Sequence, residues 1–250
     1  MLNFPLVVFA VSLIALWSAA LAGDVVRKKV GPLGDDLRND FAVVQTAILT
    51  LLGLLIGFTF SMAVSRYDQR KNYEEAEANA IGTEYVRADL LPAGDAAKVQ
   101  ELLRTYLDQR VLFYSTSNLQ QRRQIGATTA QLQNDLWSAV ETRAAEQPTP
   151  LMALAVTGMN DVLNSQGYTQ HAWWYRIPAE AWSLMAVIAI FCNLMIGYGA
   201  RRTSGLLLLI VPLAVSISFF LIADIDSPLG GVIRVNPQNL LSLVQTLHAH

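Results

Sequence analysis

Four glutamates lie close together in the sequence and could take part in acid–base chemistry. They are Glu74, Glu75, Glu77 and Glu84, in a proline-free stretch rich in helix-forming residues. General acid–base catalysis needs such a carboxylate beside a nucleophile, a histidine or a second shifted carboxylate. No nucleophile or paired histidine accompanies these glutamates, and a Glu-rich helix is more often a solvated or salt-bridged surface. We therefore predict a structural helix here and no catalytic residue.

The remaining reactive side chains are few. Cys192 is the single cysteine, which excludes a disulfide within the chain, and His171 is the only histidine before residue 248. The sequence therefore has too few histidines and cysteines for a metal site built from several of them. The sequence also lacks a serine or cysteine nucleophile with a base, a P-loop and a dinucleotide-binding fingerprint. We predict a protein that is not an enzyme and that has no cofactor and no metal.

Glu180 is the one carboxylate at the start of a strongly apolar segment, next to Pro178. It could lie at the level of the lipid headgroups and favour a helix N-terminus. It could also be a functional carboxylate inside a membrane. The first interpretation is the commoner one.

The composition indicates a membrane protein. The 250 residues are 53% hydrophobic and only 15% charged, whereas about a quarter of the residues of a soluble domain are charged. The net charge of -2 gives no reason to expect a nucleic-acid partner. Four apolar segments come near the roughly 20 residues that a membrane-spanning helix needs; they are Phe4–Ala22, Ala42–Ser65, Ile177–Tyr198 and Gly205–Ala223.

The first apolar segment has a second interpretation, because Ala20-Leu21-Ala22 resembles a signal-peptidase site. Its N-terminus has no Lys or Arg, and the segment is longer than the apolar part of a signal peptide. Four spans are therefore predicted. A charged loop, Gly23–Phe41, follows, and Asp40 is expected to cap the second helix.

Small and polar residues recur on one face of the second span. They are Thr46, Thr50, Gly53, Gly57 and Ser61. Such a stripe lets helices pack closely, which is the commoner explanation. The alternative is that part of this face lines a watery path.

The second span continues into a charged helix. Arg66 and Tyr67 form a collar where the apolar segment ends. No proline follows until Pro92, so we predict one long helix that leaves the membrane and enters water.

The region after Pro92 reads as helical throughout. Apolar residues follow a helical period in Asp95–Ser115, Gln121–Glu146 and Leu151–Asn164, and no strand-like alternation appears. His171, Trp173, Trp174, Tyr175 and Arg176 read as an interfacial belt before the third span. Pro237 is placed at the first position of a C-terminal amphipathic helix.

The predicted fold is an all-α integral membrane protein with four transmembrane helices in two hairpins. An α-helical extramembrane block is inserted between helices 2 and 3. The predicted regions are 1–65 for helices 1 and 2, 66–176 for the block, 177–224 for helices 3 and 4, and 225–250 for a turn and a last helix. The short turn Gly199–Ser204 carries Arg201 and Arg202, but a split of six to five in Lys and Arg does not orient the chain.

Three sequence motifs resemble a known family. GFTFSMAVSRYDQRKN (Gly57–Asn72) is similar to the second-helix signature of bestrophins. EANAIGTEYVRADLLP (Glu77–Pro92) and DIDSPLGGVIRV (Asp224–Val235) resemble the bacterial bestrophin-like membrane proteins. The motif positions taken from this resemblance are Gly57, Glu77, Asn79, Gly82, Asp224, Asp226 and Pro228.

The resemblance implies an oligomeric ion channel. Bestrophins are pentameric anion channels whose second helix lines the pore, and the match places Thr50, Leu54 and Phe58 at the pore neck, with Arg66 and Tyr67 at its exit. The implied partners are the lipid bilayer, further copies of the chain and small inorganic ions. The implied location is a bacterial inner membrane, with the termini and the helical block in the cytosol.

Two departures limit what can be carried over. Thr50 is small and polar and Leu54 is not aromatic, although animal bestrophins have large apolar groups at the neck. Of their acidic calcium clasp only Asp224 and Asp226 remain, too few oxygen ligands for a calcium ion. Calcium gating and ion selectivity are therefore not predicted. A non-conducting membrane scaffold or interaction protein is the alternative function.

Overall fold

The computed structural model describes residues 4–31, 33–200, 206–228 and 230–248. These residues form helices and no strand. The helices are α1 Pro5–Val30, α2 Asp35–Arg87, α3 Ala93–Ser115, α4 Leu119–Glu146, α5 Pro150–Trp174, α6 Ala179–Gly199, α7 Leu207–Asp226 and α8 Gln238–His248, with a 3-10 turn at Ala88–Leu90. The predicted all-α class is confirmed.

Four segments are long and apolar enough to cross a membrane, by length and composition: Pro5–Val30, Asp36–Leu90, Pro150–Gly199 and Leu207–Asp226. Each predicted span overlaps one of them; two lie wholly inside, while Phe4–Ala22 and Gly205–Ala223 begin one and two residues earlier. The prediction for the first loop is wrong, because α1 runs on to Val30 and α2 begins at Asp35. Asp40 is thus inside a helix and cannot cap its start. The predicted turn with Arg201 and Arg202 lies outside the described residues.

The chain forms two compact units. Residues 1–67 and 176–234 make up the first, and residues 68–175 and 235–250 make up the second. The helix α2 contributes to both. The C-terminal segment, predicted as one region, is divided between them near residue 235.

In the first unit, α1 and α6 approach closely through small residues. A Cβ atom on Gly197 would collide with the backbone of Ala20, and one on Gly23 would collide with the backbone of Leu194. Ala20 is fully buried. Small residues stabilise helix pairs in membranes through such close backbone approach. The hydrophobic effect does not drive helices together within a bilayer, so van der Waals contact does so instead.

The directions of these helices follow from their contacts. Trp182 near the start of α6 packs edge-on to Phe219 near the end of α7, with ring centroids 5.9 Å apart. Phe9 near the start of α1 meets Phe220, at 6.2 Å. Therefore α7 runs antiparallel to both α1 and α6, as two successive hairpins require.

In the second unit, side chains from the loops cap two helices. Asn118 accepts from the backbone N–H groups of Gln120 and Gln121 at the start of α4, and Thr149 accepts from Met152 N at the start of α5. The helix α5 extends ten residues beyond the predicted Asn164. Trp173, predicted in an interfacial belt, is instead buried in this unit and packs on Phe113 at 5.1 Å.

Candidate functional site

The predicted neck residues lie on an open face of α2. Thr50, Leu54 and Phe58 are all exposed, Leu54 by 52% and Phe58 by 62%. Their spacing of four residues puts them on one side of the helix, about 6 Å apart along its axis. The open face therefore presents one polar and two large apolar side chains in successive turns.

The opposite face of α2 packs on the other spans. Leu52 belongs to an apolar cluster with Leu16, Met185 and Phe219. Further along, Ala63 belongs to a second cluster with Ile222. The helix thus has one side committed to its own chain, and the exposed side must meet lipid, water or another copy.

The small-residue stripe belongs to the open face. A Cβ atom added at Gly53 or Gly57 would meet nothing within 4 Å, and Thr46, Thr50 and Ser61 are exposed. The Thr50 hydroxyl donates to the Thr46 carbonyl at 2.8 Å, so its hydrogen bond is made within α2. Packing against other described helices of the same chain is therefore not the role of the stripe.

The collar residues occupy a different side of the helix. Tyr67 is partly buried and packs on the cluster that contains Ala63, Ile177 and Ile222. Arg66 is partly buried as well. Both lie where the apolar part of α2 gives way to its charged part.

Glu77, a motif position, is fully buried in an ion pair. The Arg110 guanidinium donates to the Glu77 carboxylate, and the Thr169 hydroxyl donates to the same carboxylate at 3.0 Å. Burial lowers the pKa of Arg110, but the adjacent Glu77 carboxylate outweighs this and the pKa is raised overall. The prediction of a solvated or salt-bridged surface is wrong in one respect here, because Glu77 is salt-bridged but buried.

Glu74 holds the C-terminal helix. Its carboxylate accepts from the Leu240 backbone N–H at 2.9 Å and from the Asn239 side-chain amide at 2.7 Å. Leu240 lies in the first turn of α8, where backbone donors have no partner inside the helix. A buried carboxylate of α2 therefore supplies the N-terminal cap of α8.

Glu84 is buried without a hydrogen-bond partner among the described residues. It packs on α5 at Gly158, where a Cβ atom would collide with the Glu84 carboxylate. Burial raises the pKa of Glu84 from 4.5 to about 8, Arg87 lowers it and Asp161 raises it further. Burial therefore favours the protonated form of Glu84 at neutral pH. Glu75 is the only one of the four glutamates that is exposed, as predicted.

The motif positions Asn79 and Gly82 border a polar groove between α2 and α8. The groove has a volume of about 620 Å³. A Cβ atom on Gly82 would come within 3.1 Å of Leu243 in α8. Glycine at this position therefore allows α8 to dock.

Asp224 and Asp226, in the acidic motif after the last span, accept hydrogen bonds from backbone N–H groups. Asp224 accepts from the N–H groups of Val232 and Ile233, each at 2.8 Å. Asp226 accepts a longer bond from Ile177 N, at 3.3 Å. Pro228 is buried beside them. Through these hydrogen bonds the two aspartates cap backbone N–H groups of the loops. No group of three or more His, Cys, Asp or Glu side chains that could hold a metal ion occurs in the described part of the chain.

Arg110 and Thr169 were missed as partners of Glu77. One signal was present in the sequence. Arg110 falls on the stripe formed by Leu103, Tyr106 and Tyr114, where a charge on an apolar helix face has to find a buried partner. Thr169 carries no such signal.

Comparisons with known proteins show the family and the fold of the chain. The sequence model of the bestrophin-like domain matches residues 8–240. A mutant of a bacterial bestrophin homologue from Klebsiella pneumoniae superimposes with a TM-score of 0.66 at 12% identity, covering 96% of this chain and 94% of the other. Another crystal structure of a bacterial bestrophin homologue from Klebsiella pneumoniae gives 0.64 at 13%, covering 97% and 95%. Curated protein sequences give no significant match.

Proposed function

The chain belongs to the bestrophin-like family, and we propose that it forms an oligomeric ion channel whose pore is lined by α2. One observation carries this proposal. The face of α2 with Thr50, Leu54 and Phe58 is exposed, while the face with Leu52 and Ala63 is packed on the chain's own helices. A ring of copies can therefore turn the open face toward a common axis without disturbing the protomer.

The open face has the chemistry of a gated constriction. In a ring, Leu54 and Phe58 form two adjacent apolar layers, and Thr50 adds a polar layer one turn away. Apolar constrictions close a pore by excluding water even when they are wider than an ion. Larger apolar side chains strengthen this barrier, so Phe58 is the main gate residue of the proposal.

The remaining parts follow the family resemblance. Arg66 and Tyr67 form the collar where α2 leaves the membrane. The assembly is a homo-oligomer, a pentamer by resemblance, that conducts small inorganic ions. It lies in a bacterial inner membrane with the termini and the second unit in the cytosol. Asp224 and Asp226 already cap backbone N–H groups, which speaks against a calcium-gated mechanism.

Ion flux through vesicles that contain the purified protein tests the proposal. Phe58→Ala removes the largest apolar group from the constriction, and we expect flux to rise several-fold. Phe60→Ala is the matched control. Phe60 is the same residue type two positions along α2, 40% exposed, and about 200° away around the helix. It should leave flux unchanged.

Two results would contradict the proposal. One is the absence of flux of chloride, sodium and potassium from both the wild type and Phe58→Ala. The other is an equal response to Phe58→Ala and Phe60→Ala, since the open face would then have no special part in conduction. Absence of flux from a well-assembled protein would favour the scaffold function.

A further inference from the structure

An apolar groove opens on the first unit, away from the candidate pore face. It has a volume of about 430 Å³ and is lined by residues of α1, α6 and α7. Leu16 and Phe219, 2% and 4% exposed, form its floor, and Val11 and Ile190, about half exposed, stand at its rim. Small side chains in the lining, such as Ala15 and Ala186, leave the hollow between α1 and α6.

The groove offers little to a polar ligand, because the indole N–H of Trp182 in its lining, unpaired among the described residues, is itself buried. It contains two hydroxyl groups, and each already donates within its own helix. Ser12 donates to the Phe9 carbonyl at 3.0 Å and Ser183 to the Glu180 carbonyl at 2.9 Å. No charged residue lines it. The part of an occupant that lies in the groove must therefore be largely apolar.

The shape and surroundings of the groove point to one class of occupant. Its α1 wall runs from Val7 to Leu16, about 14 Å at the 1.5 Å rise per residue of an α-helix. The groove thus follows the helices that cross the membrane, which is also the direction of lipid chains. Further apolar residues on other sides of the same two helices are also exposed; they include Leu6, Ile14, Leu184, Val187 and Phe191. These spans therefore present apolar side chains, and the groove among them, to the hydrocarbon layer of a bilayer.

We propose that this groove binds one acyl chain of a membrane phospholipid, held along α1 and α6 in the leaflet where α6 begins. Apolar contact supplies the affinity. The acyl chain fills the hollow between α1 and α6 and so makes van der Waals contacts that would otherwise be lost. A phospholipid bound in this way becomes part of the protomer. It differs in residence time from the lipids that only surround the spans.

Trp182 allows a direct test because it lines the groove. The protein is placed in vesicles of phosphatidylcholine with brominated acyl chains, which quench tryptophan fluorescence on contact. It is then re-extracted and washed in detergent. Subtracting the signal of Trp182→Phe isolates Trp182, and subtracting that of Trp17→Phe isolates Trp17, which is 40% exposed on α1 and lies outside the groove. We expect Trp182 to stay quenched after washing and Trp17 to recover.

A larger side chain inside the groove should displace the bound lipid. Ala186→Leu adds volume inside the groove, while Val187→Leu adds a methylene on the neighbouring outward side chain, which is 64% exposed. Native mass spectrometry should find one retained phospholipid per protomer in the wild type and in Val187→Leu. At least a five-fold lower occupancy is expected in Ala186→Leu. A size-exclusion profile shows whether each variant has kept its assembly.

The proposal fails if Trp182 recovers as fully as Trp17, because the contact is then only with surrounding lipid. It also fails if Trp182 is never quenched and Val11→Cys crosslinks two chains, because a second copy then covers the groove. If Ala186→Leu does not assemble, the quenching of the wild type alone decides the question.

Discussion

At the scale of single residues, the acidic half of α2 shows three ways of burying a carboxylate. Glu77 is paired with Arg110 and Thr169, Glu74 caps α8, and Glu84 has no hydrogen-bond partner among the described residues. For Glu84, the desolvation that accompanies burial outweighs the charge of Arg87 and raises the pKa. The same residue type thus serves as an ion-pair partner, as a helix cap and as a neutral packing group.

Glu84 should make the stability of the protein depend on pH. Its pKa is about 8 when folded, against a usual 4.5, so the folded chain binds this proton more tightly than the unfolded chain. Stability is therefore highest below pH 4.5 with respect to this group, falls as the pH rises toward 8, and levels off above it. Glu84→Gln keeps the neutral shape and should remove this fall.

Thermal unfolding of the detergent-solubilised protein from pH 5 to 9 measures the effect. The melting temperature of Glu84→Gln should exceed that of the wild type increasingly up to about pH 8. Glu75→Gln changes an exposed glutamate of the same helix and should give no such trend. Parallel curves for the wild type and Glu84→Gln would show that Glu84 is ionised throughout.

At the scale of elements, α2 is the helix on which the second unit is assembled. Its buried side in this unit carries Arg70, Glu74, Glu77, Ile81 and Glu84, at helical spacing. Arg70 donates to the Ala172 carbonyl of α5 at 3.2 Å, and Glu77 reaches α3 and α5. A helix with so many buried polar groups is fixed in register, because a slip would leave charges without partners.

The C-terminal helix depends on two positions of α2, the cap Glu74 and the glycine Gly82. In Gly82→Leu a large side chain meets Leu243, whose methyl group would lie 3.1 Å from the first added carbon. We expect α8 to detach, so that the amides of residues 238–248 exchange hydrogen at least ten-fold faster. Hydrogen-exchange mass spectrometry measures this directly.

Gly126→Leu is the control for this experiment, since it makes the same substitution at an exposed glycine of α4 where a Cβ atom meets nothing within 4 Å. It should leave the exchange of residues 238–248 unchanged. Equal protection of α8 in Gly82→Leu and the wild type would contradict the proposed role of the glycine.

At the scale of the whole molecule, the open face of α2 must be explained by what surrounds the chain. Exposed Leu54 and Phe58 stand beside exposed Gly53 and Gly57. In a channel this face meets the aqueous pore, and in a scaffold it meets another helix. The two functions therefore predict different results when the face is made bulkier.

The substitution Gly57→Leu distinguishes the channel function from the scaffold function. A Cβ atom at this position meets nothing within 4 Å in the protomer, so the protomer itself should fold normally. If the face lines a pore, the oligomer persists and flux falls several-fold, because the added side chains narrow the passage. Native mass spectrometry and vesicle flux together give the answer.

Gly94→Leu serves as a control, because a Cβ atom at Gly94 also meets nothing within 4 Å and Gly94 lies outside α2. It should change neither the assembly nor the flux. Dissociation of Gly57→Leu into monomers would instead support helix packing as the role of the stripe.

Local patterns in the sequence determined the class of the protein. Runs of about 20 apolar residues predict spans because every backbone polar group in a bilayer must be paired within a helix. The 3.6-residue period predicted α3 and α4, and Pro92 limited α2. The bounds of the loops were harder to predict from the sequence, because charged residues such as Lys28 and Lys29 can continue a helix beyond its apolar part. The helix α1 accordingly runs on to Val30.

Only the tertiary structure decided which charged and polar side chains are buried. Glu77 and Arg110 are 33 residues apart in the chain, and Glu74 meets Leu240 across 166. No local rule connects such pairs, because burial depends on which helix faces meet after folding. The same holds for the stripe of Thr50 and Gly57. Its spacing was visible in the sequence, but only the packing of the opposite face showed that the stripe is turned away from its own chain.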